Sequence, residues 1–268
     1  NIMKNIIKFI GLFILILSFS CTDEALDNNF GTLHQSEIKQ SMDLDVDLDF
    51  IEGLEIQTFE DHNSRNSQLP DCVTVTVVMQ QNFKEITLDF GDGCEVNGKF
   101  LAGIMIITFE PNPDAAQREI TTVFDNFTIN QRTINGIKNR LWQASNDNGN
   151  PQHTITVDIT VNWLTVDYLL HRTGTKVRER VEGQQGVWTT YVFNITGEWT
   201  NAFGNGNTYS WEILTPLVKE AICYFFVSGN VSIERPNISG VLDYGNGECD
   251  NLAIFTTSDG EVIEISLD

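Results

Sequence analysis

The sequence predicts an all-β fold: an antiparallel meander of hairpins forming one twisted sheet or two packed sheets, preceded by an N-terminal signal and a tether. Three observations predict it. Past residue 70 apolar residues recur at every second position, and no stretch sustains a helical period. Asn-Gly and Asp-Gly pairs, residue types that tolerate positive φ, punctuate these runs at Asn135-Gly136, Asn148-Gly149, Asn205-Gly206 and Asp259-Gly260. Two similar glycine-rich elements each end in a cysteine with a second cysteine upstream. The chain of 268 residues divides into a leader (1–20), an acidic tether with little regular structure (21–70) and an antiparallel β domain (71–268).

The leader carries Lys4 and Lys8 before an apolar run from Phe9 to Leu17, then Ser18-Phe19-Ser20-Cys21. The run is shorter than the roughly 20 residues that a membrane span needs, and the cysteine stands where a cleavage site belongs. The stretch resembles a bacterial lipoprotein signal, with Ser18 where a Leu is usual. The resemblance makes Cys21 the lipidated residue and the mature N-terminus, fastened to a membrane by several fatty acyl chains. Cleavage there removes both lysines and no acid, leaving 14 basic against 37 acidic residues, a charge of -23. Thr22-Asp23-Glu24 resembles the surface-export signal of Bacteroidetes lipoproteins. The expected location is therefore the outer membrane at the cell surface, with its periplasmic face as the alternative. A formal charge of -21 for the whole chain argues against nucleic acid as a partner.

Between Thr22 and Pro70 the chain is polar. Asp43-Leu44-Asp45-Val46-Asp47-Leu48-Asp49-Phe50 alternates strictly and reads as a solvated edge strand with four carboxylates on one face. As a strand it spaces those carboxylates about 7 Å apart, too far to converge on one cation. In the β domain, strands are expected at Cys72–Val77, Glu85–Phe90, Gly103–Phe109, Ile120–Asn130, Thr154–Trp163, Thr189–Trp199, Thr208–Leu214, Cys223–Ile233, Ile238–Tyr244, Leu252–Thr256 and Val262–Leu267. In Thr154–Trp163, Ile155, Val157, Ile159, Val161 and Trp163 share one face and polar residues the other, the mark of a half-buried strand.

The cysteines fall into two frames. Leu88-Asp89-Phe90-Gly91-Asp92-Gly93-Cys94 matches Leu242-Asp243-Tyr244-Gly245-Asn246-Gly247-Glu248-Cys249 with one inserted residue. Phe83 and Pro236, midway between Cys72 and Cys94 and between Cys223 and Cys249, lie in polar turn sequences. Hairpins folded there bring each pair together, so disulfides Cys72–Cys94 and Cys223–Cys249 are expected, in keeping with export to an oxidising compartment. Asp89 and Asp92, or Asp243, Glu248 and Asp250, could offer oxygens to calcium. A glycine turn leading into a disulfide explains them as well, and the spacing is not that of an EF-hand. No metal or cofactor site is expected: the four histidines are scattered and no C-x-x-C occurs.

Chemistry is sparsely signalled. G-x-S-x-G, H-E-x-x-H and a phosphate loop opening a helix are all absent from the sequence, and 37 acids make any glycosidase pair arbitrary. No catalytic residue is assigned, and the chain is read as a non-enzyme. Trp142, Trp163, Trp188, Trp199 and Trp211 with Tyr168, Tyr191 and Tyr209 form either a sugar-stacking platform or, the commoner use, core and cross-strand pairs.

Together, Cys21, Asp71-Cys72-Val73-Thr74-Val75, the two glycine–cysteine elements and Asn205-Gly206 with Thr208-Tyr209 resemble a family of Bacteroidetes envelope lipoproteins. That family has no established activity, so the resemblance implies location and architecture and transfers no catalytic residue. The expected function is a non-catalytic binding or structural module at the outer membrane, engaging a protein or glycan. The alternatives are a surface glycan hydrolase, which needs convergent carboxylates, and an envelope-lipid carrier, which needs an apolar cavity.

Overall fold

The computed structural model describes residues 30–64, 69–80, 82–112, 115–165, 168–236 and 238–267. The leader, Cys21 and the export-type Thr22-Asp23-Glu24 lie outside them. Among the described residues one long helix, α1 (Phe30–Ser64), precedes fourteen strands joined almost wholly by short turns. These are β1 (Thr74–Met79), β2 (Lys84–Asp89), β3 (Cys94–Val96), β4 (Lys99–Phe109), β5 (Gln117–Ile129), β6 (Arg132–Gln143) and β7 (Gln152–Trp163). After them come β8 (Tyr168–Glu182), β9 (Val192–Phe203), β10 (Thr208–Glu220), β11 (Ser228–Arg235), β12 (Ile238–Asn246), β13 (Leu252–Thr257) and β14 (Val262–Ser266).

All pairings are antiparallel between neighbours in the chain, with β3 folded back on β4 and β2 paired to β4 directly. The result is one open meander sheet, the all-β architecture that period-2 patterning predicts. Its inner face curls around α1, whose side chains reach β4, β5, β6, β8, β9 and β10 while Gln35 touches β14. Ile38, Met42, Leu44, Ile51 and Leu54 of the helix share a single core with residues of nearly every strand.

Two expectations for the segment before the β domain need correcting. Residues 30–64 of the expected tether are helical, and the Asp43–Phe50 alternation is a helical segment, not an edge strand. At about 100° per residue, every second position lies about 200° apart, so alternation on a helix makes two opposed carboxylate stripes. Asp43 and Asp47 form one stripe, Asp45 and Asp49 the other. A carboxylate pattern that keeps a strand in water serves a helix charged on opposite sides and enclosed on both.

Strands β6 and β8 escape sequence recognition because their inward positions are basic where an apolar residue is expected. In β6 the inward set includes Arg132, Ile134, Lys138 and Arg140, and in β8 Leu170, Arg172, Lys176 and Arg178, all of them buried or nearly so. Asn135-Gly136 is not a turn: it lies inside β6 beside the register shift of β5, and the Asn135 side chain accepts the Asn126 backbone N–H at 2.9 Å. The other three Gly pairs do form turns. Gly103 marks a true bulge, with φ of 77° and an ideal Cβ position 2.1 Å from the Asn126 carbonyl oxygen, so no side chain fits.

Both cysteine frames fold as expected. Cys72 pairs with Cys94 and Cys223 with Cys249, their Cα atoms 5.7 and 5.3 Å apart. The matching aspartates do the same work in each: Asp89 accepts the Gly91 N–H and Asp243 the Gly245 N–H, both at 2.8 Å. These carboxylates close turns, which accounts for them without an ion. Replacing Cys72 and Cys94 together by Ala is expected to lower unfolding stability by about 3 kcal/mol through lost loop closure. Guanidinium titration of the oxidised parent and the variant measures it, and equal midpoints would show that the pair contributes nothing.

Candidate functional site

The dominant chemical feature is the contact between α1 and the inner sheet face. Glu37 accepts from the Asn205 and Asn207 amides at 2.8 Å and from the Tyr209 hydroxyl. Asp47 meets Arg132 at 2.5 Å and Lys99 at 3.6 Å, while Asp43 of the same stripe faces Arg132 at 4.0 Å. On the opposed stripe Asp45 contacts Arg172 at 2.5 Å and Lys176 at 2.6 Å, and Asp49 contacts Arg178 and, at 3.0 Å, Lys219. Further along, Glu52 meets Arg178 at 3.1 Å, and Glu55 meets Lys138 at 2.9 Å, Arg140 at 3.6 Å and the Thr122 hydroxyl at 2.6 Å. Lys176 and Arg172 also lie over the Trp199 ring, which stacks on Trp211 across the β9–β10 pair.

Burial sets these groups apart electrostatically. Burial alone would raise the Asp49 and Glu55 carboxyls, but Arg178 with Lys219, and Lys138 with Arg140, outweigh it and hold both below their ordinary range. At Asp47 burial prevails over Arg132 and Lys99, and its carboxyl is raised. Asp49 and Glu55 therefore contribute stability that is present above their ordinary values of 3.8 and 4.5 and lost as pH falls below them. Asp47 works the other way, its contribution being present below 3.8 and lost as pH rises through the raised value.

A cleft of about 580 Å³ opens between the second half of α1 and the shell. Asp49 and Gly53 of α1 form one side, and Trp188, Tyr191, Lys219 and Tyr224 the other. Trp188 and Tyr191 sit in and just after a 3-10 turn on the β8–β9 connection, and Tyr224 lies between β10 and β11. Trp188 is braced by Tyr191 and Phe193 at centroid distances of 5.6 and 5.8 Å. Lys219 bridges Asp49 and the Tyr224 carbonyl oxygen, at 3.0 and 2.7 Å. A smaller void of about 50 Å³ lies beside Asp45, Lys176 and Trp199.

The aromatic candidates divide accordingly. Trp163, Trp199, Trp211 and Tyr209 are buried in the core, Tyr168 is half-buried near Glu37, and Trp142 lies beside Arg118. Only Trp188 and Tyr191 of that set reach the cleft, where Tyr224, not singled out by sequence, joins them. Glu220, Cys223 and Cys249 cluster, but their two sulfurs are bonded to each other, leaving no thiolate for a metal. Of the described histidines, His171 pairs with Asp158 at 2.8 Å on the outer face, and burial with nearby Arg140 and Arg178 keeps His153 neutral.

No helix among the described residues is long and apolar enough to cross a membrane. No protein family, curated protein or solved structure matches this chain.

Removing the Asp49 charge leaves Arg178 and Lys219 buried with less compensation, so Asp49→Asn is expected to cost about 3 kcal/mol at pH 7 and to flatten the acid limb of the stability curve. Asp47→Asn is expected to cost less than half as much, since burial already favours a neutral group there. Urea titrations between pH 3 and 7 test both, and equal losses would contradict the assignment. Gly53 sits mid-helix with nothing within 4 Å of an ideal Cβ, so Gly53→Ala should gain about 0.5–1 kcal/mol in the same titration. A loss there would mean that the cleft wall is closed.

Proposed function

We propose that this chain is a non-catalytic binding module of the cell envelope, held at the outer membrane through acylated Cys21, with the α1–β10 cleft receiving its ligand. The cleft carries the reading: it is open, roomy and walled by half-exposed aromatic rings, whereas the concave interior is taken up by a helix. The acid that lines the cleft supports binding over hydrolysis. Asp49 is held ionised by Arg178 and Lys219, the opposite of a general acid, which needs a raised proton affinity. Carriage of a lipid is disfavoured because α1 occupies the space between the sheet walls that an acyl chain would need.

The test uses protein purified from its natural source. Intact mass is expected to show fatty acylation at Cys21 with no alkylatable thiol before reduction, and proteinase shaving of whole cells should remove the protein. Incubation with polysaccharide from the same cells should co-sediment the protein without raising reducing ends. Survival of shaving would turn the module toward the periplasm, an unacylated mass would remove the anchor, and release of reducing ends would install the hydrolase in place of the binding module.

A further inference from the structure

We infer that the cleft is a subsite for a neutral pyranose oligosaccharide, admitted by the gap that Gly53 leaves in α1; this rests on the binding-module reading and names its ligand class. The volume of about 580 Å³ falls in the range of roughly 300–1,000 Å³ usual for small-molecule sites. Trp188 is 38% exposed and Tyr224 is 48% exposed, each held by neighbouring rings: Trp188 by Tyr191 and Phe193, Tyr224 by Phe225 at 4.9 Å, with the Lys99 ammonium 4.8 Å from its ring. Rings held this way offer pre-set apolar area with polar edges, suited to the C–H face of a sugar ring.

The charged groups beside them narrow the class. Asp49 presents carboxylate oxygens and Lys219 an ammonium in the same cleft, so hydroxyl groups find an acceptor and a donor together. An acyl chain there would strip water from that ion pair and return no hydrogen bond. An acidic sugar would approach a chain of formal charge -21 against its field.

Gly53 is the independent sign of a vacancy. Glycine inside a helix is unfavourable, and packing does not demand it here, since a Cβ would meet no atom within 4 Å. Its effect is on the cleft, whose wall it keeps thin opposite Trp188 and Tyr224. A large side chain at 53 would project into the ligand space and leave the core untouched.

The full-length protein is titrated with maltotetraose, cellotetraose and chitotetraose, with tetragalacturonate and palmitate as charged and apolar competitors, followed by calorimetry and tryptophan fluorescence. At least one neutral tetrasaccharide is expected to saturate the protein at millimolar concentration or below. Gly53→Phe and Trp188→Ala should each weaken it by about tenfold or more, with unchanged far-ultraviolet dichroism and cooperative melting. The inference is overturned if none of the three sugars binds up to about 10 mM, if Gly53→Phe and Trp188→Ala both bind as the parent does, or if tetragalacturonate or palmitate binds more tightly. Acylation, shaving and polysaccharide co-sedimentation are read separately, so failure of these probes leaves the anchored module standing. Loss of co-sedimentation would remove both.

Discussion

Burying a carboxylate or an ammonium costs several kcal/mol unless a partner of opposite charge comes with it, and this fold buries both on a large scale. Eight of the chain's 16 Lys and Arg residues, Lys99, Arg132, Lys138, Arg140, Arg172, Lys176, Arg178 and Lys219, meet the carboxylates of α1. Neither surface is tolerable alone. Within an isolated helix Asp43 would face Asp47, and Asp45 would face Asp49, at the i,i+4 spacing where like charges repel. Without α1 the strands would hold a basic inner face with no counter-charge. The helix and the sheet are therefore one folding unit, and the energy that holds them comes from the apolar core threaded between the pairs.

The pairing also fixes geometry. Apolar contacts alone allow a helix to roll or slide inside a curved sheet, but the two opposed stripes must each find their own cations. Asp47 on Arg132 and Lys99, with Asp45 on Arg172 and Lys176, pin both the rotation and the height of α1. The eight inward cations are nearly balanced by seven acids of α1, Glu37, Asp43, Asp45, Asp47, Asp49, Glu52 and Glu55, so the solvent-facing surface carries almost all of the net negative charge.

The cleft depends on that placement. One wall is α1 itself, and the Asp49–Lys219 contact within it belongs to the same ion-pair system. The rings of the opposite wall come from connections between strands, set by the disulfide-closed β10–β11 region and by the 3-10 turn before β9. The cleft is thus assembled from loops on a rigid support, with a helix as its second half.

Local sequence determined every element that obeys the simplest sorting of apolar residues inward: the meander, the turns at Asn148-Gly149, Asn205-Gly206 and Asp259-Gly260, and the two cysteine frames. In β7, whose inward set is Ile155, Val157, Ile159, Val161 and Trp163, pattern and structure coincide. Tertiary structure decided the rest, for one physical reason. In α1, β6 and β8 many of the inward residues are charged, and a charge reads as solvent-facing until its partner is known. Asp45 and Arg172 are 127 positions apart, so neither shows locally that the other will neutralise it. The cleft was hidden likewise: Gly53, Trp188 and Tyr224 become neighbours only when the helix those charges hold in place completes the wall.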